Sequence, residues 1–235
     1  MTSAHAAVAS TRTPDAGKVR TVEMRGAAGR LEALLNEGAP NARYAAVMCH
    51  PHPLGGGTMH NKVVYRAMKA MNAPEFGLGW PVLRFNFRGV GLSEGSHSGA
   101  AEWQDVRTAL DWIENEFRLP VVLAGFSFGC AMAMKAICEH GEERDRVHGI
   151  AALGLPLQAN GARYLYPFLK SCTLPKIFIS GDHDQFAPAD EWRRTTDAAA
   201  DPKTQVLIHG ADHFFTGHLE AMQKSLSGWL LEQFQ

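Results

Sequence analysis

Three residue types that can together carry out acyl transfer each follow an apolar run in this chain. Val121-Val122-Leu123-Ala124 leads into Gly125-Phe126-Ser127-Phe128-Gly129. Ile177-Phe178-Ile179-Ser180 leads into Gly181-Asp182-His183-Asp184, and Val206-Leu207-Ile208-His209 into Gly210-Ala211-Asp212-His213-Phe214. A serine hydroxyl is a poor nucleophile until a neutral imidazole takes its proton. The imidazole in turn needs a carboxylate to fix its tautomer and to stabilise its charged form. Ser127, Asp184 and His213 can meet this need, with Asp182 competing as the acid. Asp212 reads as a turn residue beside His213, and His183 and His209 are weaker base candidates.

The stretch around Ser127 organises the rest. The apolar run before it has the mark of a strand buried on both faces, and the Ala and Met residues after it favour helix. A Gly-x-Ser-x-Gly segment between strand and helix has the context of a nucleophile elbow. The turn is so tight that a Cβ at Gly125 or Gly129 would collide with the neighbouring strand or helix. Ser127 itself must take a strained backbone conformation. That strain lifts the hydroxyl to the N-terminus of the next helix, where aligned N–H groups favour negative charge.

The elements that must position these residues alternate between strand and helix. A hairpin is expected over 19–25 and 31–36, and strands over 44–49, 80–87, 121–126, 147–155, 176–180 and 205–208. Helices are expected over 59–71, 101–117, from about 128, 189–199 and 217–234. Such alternation implies βαβ crossovers and a mainly parallel sheet with helices on both faces. Open sheets of this kind place their sites at the C-terminal ends of the strands, where all three residues fall.

Composition bounds the function. The 235 residues suit one large domain, and 46% are apolar, enough for a sizeable core. A net charge of −1 gives no electrostatic reason to expect nucleic acid or an anionic membrane as partner. No apolar run approaches the ~20 residues of a membrane span. Cys49, Cys130, Cys138 and Cys172 form no Cys-x-x-Cys pair. They are expected to be free thiols in a reducing cytoplasm. Residues 1–17 lack the apolar centre of a signal peptide and are expected to be a disordered tail, ahead of one domain over 18–235. The placement of Arg12 before the first acid, Asp15, gives only a weak transit-peptide pattern. His50, His52 and His60 invite a metal reading, but no carboxylate lies near them in sequence and the triad needs no metal or other cofactor. Gly55-Gly56-Gly57 lacks the lysine and serine of a phosphate loop.

Five motifs carry a resemblance: the elbow, Gly181-Asp182-His183-Asp184, Gly210-Ala211-Asp212-His213-Phe214, His50-Pro51-His52-Pro53 with its glycines, and Arg88-Gly89-Val90-Gly91-Leu92-Ser93. From residue 18 onward the chain resembles the α/β-hydrolase superfamily, and within it the small bacterial serine hydrolases with a His-Pro-His-Pro loop. The resemblance implies the α/β-hydrolase fold, a Gly-x-x-Asp acid turn that favours Asp184 over Asp182, and an oxyanion hole. One donor of that hole would be the Phe128 N–H. The other would come from the loop after residue 49, where Pro51 and Pro53 have no N–H, leaving His52 or Leu54. Families with this fold often insert a large lid where this chain has only residues 156–175, room for one short helix. Tyr164, Tyr166 and Phe168 are expected to face the substrate from that cap. The implied function is hydrolysis of carboxylic ester or thioester bonds in small, accessible acyl substrates. The same triad permits a peptidase or amide hydrolase, and the same fold a non-catalytic binding protein.

Overall fold

The computed structural model describes residues 17–140, 146–159 and 161–235, so the tail expected over 1–17 lies, except for Gly17, outside the described residues. The chain runs β1 (Val19–Gly26), β2 (Gly29–Asn36), β3 (Ala45–Cys49), α1 (Lys62–Asn72), β4 (Val82–Phe85), α2 (Trp103–Phe117), β5 (Val121–Phe126) and α3 (Phe128–Met134). It continues through β6 (Val147–Leu153), the short ribbon β7 (Gln158–Ala159) and β8 (Ala162–Arg163), β9 (Lys176–Gly181), α4 (Ala189–Asp197), β10 (Lys203–Ile208) and α5 (Leu219–Phe234).

Eight strands form one sheet in the order β1-β2-β4-β3-β5-β6-β9-β10. The pairs from β4 to β10 are parallel, whereas β1–β2 and β2–β4 are antiparallel. Pleating sends successive residues to opposite faces, and both faces are buried. On β3, Ala45, Val47 and Cys49 join one core layer while Ala46 and Met48 join the other. On β5, Val121 and Leu123 alternate in the same way with Val122, Ala124 and Phe126. The first layer packs under α2, α3 and α4, the second under α1 and α5. The strand order reverses direction between β3 and β5, so the loops leaving these two strands part and open a crevice.

The element boundaries show where local chemistry overrides periodicity. The helix expected from residue 59 starts at Lys62 because the Asn61 side chain accepts the Val63 N–H at 2.9 Å and caps it. The strand expected over 80–87 is hydrogen-bonded only from Val82 to Phe85. Asn86 and Phe87 beyond it turn their N–H groups to Glu32 and His50. Where one short helix was expected, residues 156–175 hold the β7–β8 ribbon and a 3₁₀ helix, Pro167–Ser171.

One expectation is overturned. Cys138 and Cys172 form a disulfide, so only Cys49 and Cys130 are buried free thiols. The two bonded cysteines sit 34 residues apart, on the π-helical turn that continues α3 and just after the cap's 3₁₀ helix. No short spacing could signal a pair joined through the packing of two elements. Among the described residues no helix is long and apolar enough to cross a membrane. Thiol titration of the unfolded, unreduced protein should therefore find two reactive thiols per chain; four would return Cys138 and Cys172 to the free state.

Candidate active site

The turn between β5 and α3 holds Ser127 at φ 55° and ψ −123°, a left-handed conformation that costs a non-glycine residue ~1–3 kcal/mol. The turn is closed from both sides. A Cβ on Gly125 would stand 2.5 Å from the Cys130 backbone nitrogen, and one on Gly129 would stand 2.5 Å from the carbonyl oxygens of Cys49 and His50. Ser127 N–H donates to Leu153 O at 2.9 Å, tying the strained residue to β6. Ser127 has only 9% of its surface exposed, and it lies on a cleft of about 620 Å³ open to solvent.

His213 reaches Ser127 from the turn after β10. Its Nε2 is 2.9 Å from Ser127 Oγ, and its Nδ1 is 2.8 Å from Asp184 Oδ2. A carboxylate oxygen can only accept, so Nδ1 carries the hydrogen and Nε2 is left with its lone pair toward the serine. Asp184 is fixed in turn, since Oδ2 also accepts the Ser180 hydroxyl at 3.2 Å and Oδ1 accepts the Phe186 N–H at 2.8 Å. Both His213 and Asp184 are buried, and the rings of Phe126, Phe186 and Phe214 surround the imidazole at 4.6–5.2 Å. Gly154, at φ 55°, leaves the imidazole room; a Cβ there would stand 3.2 Å from His213 Cε1.

Asp182 is placed elsewhere. Its carboxylate contacts His209 Nδ1 at 2.8 Å and accepts the Gly210 N–H at 2.7 Å, in a pair whose histidine is almost fully exposed. The hydrogen bond from His209 holds the Asp182 carboxyl below its usual range. His183 is exposed beside it. Asp212 accepts N–H groups from Phe214 and Thr216 and shapes the histidine turn.

The loop after β3 forms the wall opposite the cap. His52 lines the cleft together with Phe128, and among the described residues nothing accepts the His52 N–H. The first N–H of α3, on Phe128, has no acceptor within the helix. The Leu54 N–H is instead bound to His52 Nδ1 at 3.2 Å in the 3₁₀ turn that Pro53 starts, and the Leu54 side chain is exposed to solvent. Of the cap aromatics only Tyr164 lines the cleft. Tyr166 is buried, its hydroxyl donating to Pro156 O at 2.7 Å, and Phe168 packs against the core layer under α3. The hydroxyl of Tyr166 needed a partner inside the fold, which turned the ring away from the substrate side.

Residues whose positioning work sequence reasoning missed lie beneath this loop. The ring of His50 is fully buried, donating from Nδ1 to Pro51 O at 2.6 Å and accepting the Phe87 N–H on Nε2 at 3.0 Å. Both nitrogens are thus engaged in opposite roles, so the ring must be neutral and has no lone pair left for a metal. Burial lowers its pKa to about 4, against a smaller opposing effect of the Pro51 carbonyl. Asn86 accepts the Met59 N–H at 2.9 Å and Arg84 donates to Met59 O at 3.2 Å, fixing the far end of the loop. Arg88 grips buried Asp105 with two nitrogens, and Ser93 Oγ donates to Asn86 O at 2.7 Å. The Arg-Gly-x-Gly-x-Ser motif is therefore the scaffold of the loop facing Ser127. Asn61, Pro156, Ala159 and Phe186 also line the cleft, and only their position after a strand or in the cap could have signalled it.

Comparison with known proteins agrees with this fold. A model of the alpha/beta hydrolase domain matches residues 46–226. The chain belongs to the alpha/beta hydrolase family. An uncharacterized protein of Rickettsia prowazekii is 33% identical over 219 residues, covering 89% of this hydrolase and 88% of that protein. An alpha/beta serine hydrolase homologue from Coxiella burnetii is similar with a TM-score of 0.77 and 30% identity, over 89% of this chain and 96% of that one. A serine hydrolase from Xanthomonas campestris described as lacking a lid gives a TM-score of 0.78 and 26% identity, over 92% and 94%.

The neutral His50 ties the hydrolase's stability to pH. The unfolded chain binds a proton on this histidine below about 6.5, whereas the folded protein resists it until about 4. Stability is thus fully present above pH 6.5 and is lost as pH falls toward 4, by about 3 kcal/mol from this residue. His50→Gln should be less stable at pH 7.5 but lose less between pH 6.5 and 4.5. Urea midpoints that fall in parallel for both proteins would show that His50 does not carry this dependence.

Proposed function

We propose that this hydrolase cleaves carboxylic ester or thioester bonds of small acyl substrates through an acyl-enzyme on Ser127. The observation that carries the reading is the unbroken hydrogen-bonded chain Ser127–His213–Asp184 at the floor of a cleft lined by no lysine, arginine or carboxylate.

Ser127 Oγ attacks the carbonyl carbon while His213 Nε2 takes its proton. Asp184 then stabilises the imidazolium and holds its Nδ1–H in place. The developing oxyanion is met by the N–H groups of Phe128 and His52, preorganised by α3 and by the proline-bounded loop. The tetrahedral species collapses as His213 returns the proton to the leaving oxygen or sulfur. Water then attacks the acyl-enzyme, His213 takes one of its protons and passes it to Ser127, and the free acid leaves. The short cap, and the serine hydrolase without lid from Xanthomonas campestris, favour substrates that approach a cleft open to solvent.

A fluorophosphonate probe should label Ser127, and Ser127→Ala should abolish labelling and turnover while circular dichroism and melting stay near wild type; full activity in that variant would overturn the mechanism. Asp184→Asn preserves shape but permits the wrong imidazole tautomer. In the serine-protease template that change costs ~10⁴ in kcat, and a loss of several orders of magnitude is expected here. Asp182→Asn, remote from His213, should lose tenfold or less. The reverse ranking, in variants shown to be folded, would move the acid to Asp182.

Acyl chain length offers a further check. Each methylene that finds apolar wall gains roughly 0.8 kcal/mol, and an open cleft stops supplying wall after a few carbons. The expected kcat/KM profile across p-nitrophenyl esters peaks at short chains. A steady rise to long chains would mean an apolar tunnel instead.

A further inference from the structure

We propose that His97 is a positioning residue of the oxyanion hole: its ring holds the side chains of His52 and Phe128 together from behind and so fixes the spacing of their two N–H groups. The proposal rests on the reading of Ser127 as nucleophile and names a residue outside the triad on which its oxyanion hole depends.

His52 and Phe128 belong to separate segments, the loop after β3 and the start of α3. Two donors on separate segments act on one oxygen only if the segments are held in register. Their rings are centred 4.9 Å apart. The ring of His97 closes the triangle, 4.9 Å from His52 and 5.5 Å from Phe128, with interplanar angles of 67° and 68°. Edge-to-face contacts of this kind constrain both distance and tilt. His97 is not part of the lining of the cleft, so it acts on substrate only through the other two.

His97 is held in turn. Its backbone nitrogen packs against the turn at Gly89, where φ is 74° and a Cβ would stand 2.9 Å away. Its Nδ1 is buried 2.9 Å from Oε1 of fully buried Glu102, though off the line of a hydrogen bond. Glu102 is itself fixed, accepting the Ser98 N–H at 2.6 Å, the Ser98 hydroxyl at 3.1 Å and the Gly99 N–H at 3.1 Å.

The His52 ring needs this support for a second reason. Its Nδ1 accepts the Leu54 N–H, which it can do only while that nitrogen carries no proton. Burial lowers the His52 pKa and His97 lowers it further, against the smaller pull of Glu102. His97 thus favours both the orientation and the neutral state of the ring that closes the turn.

A short-chain trifluoromethyl ketone tests this. Ser127 Oγ should bond to its carbonyl carbon, the serine proton pass to His213 Nε2, and the carbonyl oxygen become an oxyanion in the hole. Titration of this hemiketal by fluorine NMR reads the pKa of that oxygen, which a well-placed pair of donors keeps low. His97→Ala should raise it by about one and lower kcat about tenfold with KM within about twofold, a fraction of the ~10²–10³ lost with a whole donor. His97→Phe keeps a ring against both partners and turns its weakly positive edge to Glu102, so kcat should return to within about threefold of wild type. Circular dichroism and melting establish first that both variants are folded. An unchanged hemiketal titration and kcat in His97→Ala, a loss confined to KM, or no rescue in His97→Phe would overturn the positioning role and leave Ser127 as nucleophile. A wild type that forms no hemiketal and turns over no ester would sink the nucleophile reading, and the role of His97 with it.

Discussion

The positive φ of Ser127 is the constraint on which the rest of the site depends. A residue with a Cβ stays in that conformation only where its surroundings over-determine it. Here β5 lies between β3 and β6 in the middle of the sheet, and the Ser127 N–H is bonded across to Leu153. The strand cannot shift to relieve the turn without breaking parallel ladders on both sides. The helix that follows must then start immediately and run close over β3, which only a glycine at 129 allows, and close over its own strand, which only a glycine at 125 allows. The same crowding reaches the third strand end, where Gly154 gives His213 its space. Strain at one residue is thus matched by missing side chains at three others.

Residues far apart in the chain meet because parallel strands deliver their C-terminal ends to one edge. Asp184 and His213 follow β9 and β10, which are paired in register from Lys203–Lys176 to Ile208–Gly181. That pairing generates two Asp–His contacts, not one. Asp182–His209 has the same 2.8 Å separation as Asp184–His213 but lies at the solvent-exposed surface, where water screens the contact. Burial separates their roles. The Asp184 oxygens are both engaged and shielded, so its imidazole is held in one orientation, whereas the His209 ring is free of packing that would aim it at anything.

The elements readable from sequence were those in which local pattern and tertiary environment agree. The apolar runs ending at Cys49 and Phe126 alternate between two buried core layers, so nearly every residue in them had to be apolar. The elbow glycines were readable because their steric requirement is local. Tyr166 and Phe168 were not: aromatic residues in a cap serve a cleft or a core equally well, and only the Pro156 carbonyl, ten residues away, decided for Tyr166. The Cys138–Cys172 bond depended likewise on how the end of α3 meets the cap. For the proposed second oxyanion donor, His52 and Leu54 were equal in sequence. What separates them is the His52 side chain, which takes the Leu54 N–H for itself.

That last detail bears on how an oxyanion hole can be built from a loop. A backbone donor stabilises developing charge only if it does not have to reorganise when the charge appears. Glycines would make the loop adaptable, and this loop has three, yet its course is pinned at each end. Pro51 and Pro53 fix two φ angles, the His52 ring closes the turn on Leu54, and Gly55 and Gly57 both donate to the His52 carbonyl. Below, the His50 ring bridges the Pro51 carbonyl to the Phe87 N–H, and Asn86 and Arg84 hold Met59. A protonated His50 would aim a second N–H at the Phe87 N–H and break that bridge. The neutrality imposed by burial is therefore a condition for the loop's geometry, and through it for the His52 N–H proposed as an oxyanion donor.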